Sequence, residues 1–213
     1  MSNGSVARTM NSHSQHAEHH DPAAGKIGMW LFLFTEVLLF GTLFIVFAVY
    51  LQKYRFDFRE ASSHLDKLIG AANTLILLTS SLTMALSIGA LERARKSLAQ
   101  GMLVITIVCA LAFLVIKSFE WSAKFSHDIY PKSETMLLKP VGEQVFYGLY
   151  FTMTGLHALH VIIGAAAILI AMVFVQKERT RADRITFLHN TGLYWHLVDL
   201  VWIFLFPLFY LIG

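Results

Sequence analysis

The chain has 213 residues, of which 56% are hydrophobic and only 15% charged, and its mean hydropathy is +0.58. Ordinary soluble domains are about a quarter charged, so this balance excludes a water-soluble globule and points to an integral membrane protein. The formal net charge of +3 reads as charge flanking membrane segments, and no nucleic-acid partner is expected.

Residues 1–25 hold Ser, Asn, Gly and the histidines His13, His16, His19 and His20, with little to pack. They are expected to form a mobile cytoplasmic tail, followed by one membrane domain over 26–213. A helix rises about 1.5 Å per residue, so crossing a hydrocarbon core about 30 Å thick takes roughly 20 apolar residues. The first such stretch runs about 27–51. It is too long for a cleavable signal, lacks a basic segment just before it, and is followed by Tyr54-Arg55-Phe56, so it is expected to remain as an anchor. It carries one carboxylate, Glu36.

The second stretch, about 68–91, places Thr79, Ser80, Ser81, Thr83 and Ser87 in a band of small, weakly polar residues, which predicts a helix-packing seam rather than a pore lining. Glu92, Arg93, Arg95 and Lys96 follow as a solvated, phospholipid-facing edge. The third, about 101–119, holds Cys109, the only cysteine, so no intramolecular disulfide can form and a thiolate metal site is not expected. Lys117 and Glu120 at its end read as interfacial. The connection over 120–144 is the longest, and Trp121, Tyr130, Pro131 and Pro140 suit an ordered interfacial cap. The fourth stretch, about 145–175, contains His157 and His160. The fifth, about 189–212, contains His196 and Asp199.

The predicted fold is therefore all-α, an integral membrane bundle of five transmembrane helices. Five spans put the termini on opposite faces. The short basic turns at 92–100 and 176–188 fall on the same face as the N-terminus, which the positive-inside rule places inside, with the C-terminus outside. No internal repeat, phosphate-cradling glycine loop or nucleophile elbow is visible.

Ionisable groups at membrane depth cost roughly 2.5–3.5 kcal/mol at a helix centre on insertion scales, so Glu36, His157, His160, His196 and Asp199 need an account. Counting inward places Glu36, His196 and Asp199 in one layer, His160 near the middle and His157 one turn further out. His157 and His160 share one face of the fourth helix, and His196 and Asp199 one face of the fifth. Antiparallel neighbours could bring those faces together, with Glu36 as a fifth member. Three readings are open: polar glue between helices, a metal or haem site, or a proton relay. The outer half offers few further polar groups, which argues against a complete proton path through this chain.

"LFLFTEVLLFG", "NTLILLTSSLTMA", "SFEW", "TGLHALHVIIG" and "YWHLVDLVWIFLFPLFYL" together resemble subunit III of haem–copper respiratory oxidases, from about Lys26 to Gly213. The resemblance implies the short five-helix bacterial form, in a multi-pass position in the cell inner membrane, with no organellar targeting segment. It implies an accessory subunit of cytochrome c oxidase type with no active site of its own. Haem and copper would lie in partner subunits and none in this chain. Subunit I, which it would stabilise while supporting proton uptake, subunit II and phospholipids are the implied partners. The metal reading recedes accordingly, and Glu36, His157, His160, His196 and Asp199 become a buried polar layer in which His160 and His196 are the expected neighbours of Glu36. The tail histidines His13, His16, His19 and His20 become a possible proton antenna, since unperturbed imidazoles exchange protons near neutral pH. Cytochrome c is the expected electron donor, because the first helix carries a glutamate. The alternatives are a quinol oxidase, the related accessory protein of nitric oxide reductase and, in a different class, an independent haem-binding membrane cytochrome.

Overall fold

The computed structural model describes residues 22–131, 133–176 and 181–213. Among these, every regular element is helical: α1 (Pro22–Lys53), α2 (Arg55–Ser63), α3 (Lys67–Glu92), α4 (Lys96–Ser126), α5 (Glu134–Leu137), α6 (Val141–Gln176) and α7 (Arg181–Tyr210). The helices α1, α3, α4, α6 and α7 are long and apolar enough to cross a membrane. The five expected spans are therefore present. The tail histidines His13, His16, His19 and His20 lie outside the described residues.

The helices outrun the apolar windows read from sequence, and α4 does so most, covering 96–126 where hydropathy marks 101–119. Its polar last turns remain helical because Lys117, Glu120 and Lys124 are buried against the bundle. The long connection over 120–144 shrinks correspondingly: α4 occupies its start, α5 its middle and α6 its end. The turn between α3 and α4 is also tighter than expected. Arg95 N–H donates to Ala90 O at 2.9 Å and Ala94 N–H to Leu91 O at 3.0 Å, with Ala94 left-handed at φ 59°. That geometry closes a helix C-terminus and normally favours glycine. At the opposite end of α4, Asp128 takes the same left-handed role at φ 52°, a conformation a short polar side chain tolerates better.

Local chemistry sets the other boundaries. Asp66 caps α3, its Oδ1 accepting from Leu68 N–H at 2.9 Å and Ile69 N–H at 3.1 Å. The short α2 is not an apolar span, and it buries Phe58, Ala61 and Ser62 against the end of the bundle. Ser62 Oγ donates to Phe209 O at 2.7 Å, satisfying a carbonyl in the last turn of α7. An edge-to-face aromatic cluster binds α1, α2, α6 and α7 there: Phe47 lies 5.3 Å from Phe58 and 5.0 Å from Phe209, and Phe146 lies 5.4 Å from Phe58.

The helices α3, α4, α6 and α7 form the packed core, with α3 against α4 and α7, and α6 against α7. The small-residue band of α3 lies in this seam: Ser80, Thr83 and Ser87 are buried, and Thr83 Oγ1 meets Thr106 Oγ1 of α4 at 2.8 Å. By contrast α1 is peripheral, with 17% of its apolar window buried against 50% for α7. The close approach of α6 and α7 depends on Gly164, where a Cβ would stand 2.7 Å from the Trp195 ring.

Candidate functional site

The five buried polar residues named from sequence do not form one cluster. They divide into a pair on α1 and α6, a seam between α3 and α7, and a set of groups with no hydrogen-bond partner.

The first is Glu36 with His160. His160 Nε2 stands 2.8 Å from Glu36 Oε2, with both side chains largely buried. The other ring nitrogen, Nδ1, lies 2.7 Å from Leu156 O. A carbonyl only accepts, so Nδ1 carries its proton, and a further proton must lie between Nε2 and the carboxylate or two lone pairs would face each other. Wherever that proton sits, the pair is neutral overall, which suits a bilayer. Phe40 packs edge-on to His160 at 5.3 Å, and Tyr194 O–H donates to His160 O at 3.2 Å. The pair thus fastens the peripheral α1 to α6, and α7 braces it.

The second is the α3–α7 seam. Trp202 Nε1–H donates to Thr74 Oγ1 at 3.1 Å and Trp195 Nε1–H to Ser80 Oγ at 3.1 Å. His196 Nδ1 pairs with Ser81 Oγ at 2.7 Å. His196 is therefore not a neighbour of Glu36. Its face of α7 turns to the hydroxyl band of α3 rather than to α1, because the bulky Trp195 and Trp202 indoles need those hydroxyls as acceptors.

The third set is buried without hydrogen-bond partners. His157 is fully buried between the Phe113 ring at 5.5 Å and the Trp202 ring at 5.2 Å, and neither of its nitrogens has a hydrogen-bond partner. The carboxylate of Asp199 and the amide of Asn73 are likewise buried and unpartnered. On α3, Ser80 Oγ donates to Leu77 O and Ser81 is engaged by His196. No hydrogen bond of normal geometry reaches the carboxylate. His157 and Asp199 thus do not satisfy one another as the shared-cluster expectation required.

A fourth network was not anticipated. Lys117 and Glu120, read as interfacial, are buried at 2% and 9% exposure. Lys117 Nζ donates to Glu120 Oε2 at 3.1 Å, Tyr150 OH at 2.9 Å and Tyr210 OH at 2.8 Å. Tyr150 and Tyr210 donate in turn to Glu120 Oε1 at 2.6 and 2.7 Å. The ammonium also lies 5.2 Å from the Trp202 ring centre. All three donors of the ammonium are thereby used, and the ion pair ties α4, α6 and α7 together. The signal in the sequence was an i, i+3 Lys–Glu pair next to an apolar run. Nothing there revealed the two tyrosines, which come from other helices.

Among the described residues, no three His, Cys, Asp or Glu side chains converge as a metal site needs. The groups that do find partners join helices: Glu36 with His160, His196 with Ser81, and Lys117 with Tyr150 and Tyr210. At the other end of α3, Glu92 pairs with His189 of α7 at 2.9 Å through exposed side chains.

A helical membrane protein with five spans, joined by buried polar pairs, defines the class. The sequence signature described as cytochrome c oxidase subunit III matches residues 66–213, and the chain belongs to that family. It is 26% identical over 194 residues to the probable quinol oxidase subunit 3 of Staphylococcus haemolyticus (strain JCSC1435), covering 91% of this chain and 92% of the relative. Probable quinol oxidase subunit 3 proteins of Staphylococcus epidermidis (strain ATCC 12228 / FDA PCI 1200) and Staphylococcus aureus (strain USA300) match at 25% identity with the same coverage. Other oxidase subunits are therefore its partners.

Proposed function

We propose that the chain is a non-catalytic subunit of a proton-pumping terminal oxidase whose electrons come from quinol, packed against the haem- and copper-bearing subunit I and accompanied by subunit II. The observation that carries the choice of donor is the match to probable quinol oxidase subunits along nearly the whole of both chains. The sequence expectation was cytochrome c. That remains the second reading, and the presence of glutamate at position 36 is what favours it.

The accessory role fits the chemistry of the chain. Several of its buried polar groups pair with one another across helices, as Lys117 does with Tyr150 and Tyr210. Such a subunit stabilises its neighbours by presenting a rigid apolar surface, and the long exposed faces of α1 offer one. In this reading the protein spans the cell inner membrane with its N-terminus inside, and the tail histidines His13, His16, His19 and His20 collect protons on the uptake side. Replacing all four with glutamine slows proton uptake at alkaline pH if they do so, and leaves it unchanged if they do not.

The donor is tested on the complex purified through this chain. Oxygen consumption driven by a quinol, with reduced cytochrome c inert, is the expected result. Turnover on reduced cytochrome c but not on quinol would return the reading to the cytochrome c type.

A further inference from the structure

At the end of the bundle that holds the Glu92–His189 pair, a recess of about 350 Å³ lies between α1 and the first turns of α7. That volume falls in the usual range of small-ligand sites, about 300–1,000 Å³. Its described lining is Trp30 of α1 with Ile185, Thr186, His189, Asn190 and Leu193 of α7. Thr186, His189, Asn190 and Leu193 stand at i, i+3, i+4 and i+7, so one face of α7 supplies the wall. The apolar spans of α1 and α7 begin at Ile27 and Ile185. The recess therefore sits in the first turns of both spans, at the depth where headgroups give way to hydrocarbon.

The polar members of the wall share one property. A threonine hydroxyl and an asparagine amide each donate and accept hydrogen bonds. His189 Nε2 lies 2.9 Å from Glu92 Oε1. A carboxylate accepts, so Nε2 carries its proton, and Nδ1 accepts when the ring is neutral and donates when it is protonated. Among the described residues, no hydrogen bond engages Nδ1 or the Asn190 amide.

This wall suits a particular kind of ligand. A phosphate carries negative charge, only accepts, and is held best by cationic groups, whereas none of the described lining residues is a cation. A quinone ring is flat and uncharged, and it presents two carbonyl acceptors when oxidised and two hydroxyl donors when reduced. Side chains that both donate and accept hold the two forms with the same atoms. The Trp30 indole, 63% exposed, offers a flat apolar surface for the ring. Phe34, Val37 and Leu38 are exposed on the same face of α1 and continue that surface along the span. In the proposed assembly α1 also faces subunit I, so a quinol held here lies beside the subunit that would oxidise it.

We propose that the recess between α1 and α7 binds the ring of a membrane quinol or its quinone. His189 Nδ1 and the Asn190 amide are its hydrogen-bond partners, Trp30 is its flat wall, and its tail leaves along Phe34, Val37 and Leu38. The choice of ligand rests on the quinol reading above. The site holds the ring, and no electron transfer is assigned to it.

The complex purified through this chain, placed in phosphatidylcholine nanodiscs and irradiated with an azido-substituted ubiquinone analogue, tests this by mass spectrometry of the labelled peptides. Label in this chain should concentrate on residues 27–31 and 185–193, and excess decylubiquinone should suppress it while added phosphatidylglycerol should not. Asn190→Leu should lower that label at least about tenfold, a factor equivalent to about 1.4 kcal/mol. Leu193→Trp, which fills the recess and leaves Thr186, His189 and Asn190 in place, should do the same, so the result does not depend on one variant's folding. Label spread evenly over the five spans, displaced by phosphatidylglycerol, or unchanged in both variants would overturn the proposal. Oxygen consumption separates the site from the donor. A complex that oxidises quinol without labelling here overturns the site alone, whereas labelling here in a complex driven only by reduced cytochrome c overturns the donor reading and supports the site.

Discussion

Lys117 and Glu120, one turn apart on α4, form an ion pair of 3.1 Å that is almost wholly removed from solvent and shared with the hydroxyls of Tyr150 and Tyr210. Breaking a buried pair by removing one partner typically costs about 3–5 kcal/mol, because the other charge is stranded, whereas replacing both with apolar groups is often close to neutral. Glu120→Gln and Lys117→Met should therefore each lower stability more than the Lys117→Met/Glu120→Leu double variant does. Thermal denaturation of the detergent-purified chain, arranged as a double-mutant cycle, measures this. Additive losses would mean the two groups are independent.

The pair Glu36 and His160 should act locally, on the docking of α1. Interhelical hydrogen bonds in membranes are worth roughly 0.6 kcal/mol on average and at most about 1.7. Glu36→Leu should thus cost about 1 kcal/mol globally, yet raise backbone hydrogen exchange selectively in α1, which has the least buried apolar window of the five spans. A uniform rise across all helices would show that α1 is not separately fastened.

Gly164 and Gly192 offer a matched comparison. A Cβ at Gly164 meets the rigid Trp195 indole at 2.7 Å, while one at Gly192 meets the flexible end of Ile88, Cδ1, at the same distance and Met84 Cε at an ordinary 3.5 Å. Overpacking a tight contact costs typically about 1–3 kcal/mol. Gly164→Ala should lose that much by thermal denaturation, and Gly192→Ala distinctly less.

Ala94 holds a left-handed φ of 59° in the turn between α3 and α4. Non-glycine residues reach that region at roughly 1–2 kcal/mol. Ala94→Gly should therefore stabilise the chain, less the flexibility glycine adds to the unfolded state, and a raised melting temperature checks it.

The spans were legible because crossing a bilayer imposes a length and an apolarity that few other constraints produce. Their ends were not, since Lys117, Glu120 and Lys124 look like interface residues until Tyr150 and Tyr210 are placed beside them. The same limit governs the polar layer. Spacing put His196 and Asp199 on one face of α7, but the rotation of α7 about its axis decides whether that face meets α6 or α3, and spacing carries no rotation. Trp195 and Trp202 settle it through their bonds to Ser80 and Thr74. His157 was placed in that layer one turn further out than His160, and the structure packs it between the rings of Phe113 and Trp202.

The most direct test of the account is to purify this chain by affinity tag, in mild detergent, from the cells that make it, and to record the visible spectrum and subunit composition of the eluate. The account predicts a haem-containing oxidase carrying subunits I and II, and no haem absorption when the chain is produced alone. A haem band retained by the isolated chain, or a tagged chain that brings down no oxidase subunit, would contradict it.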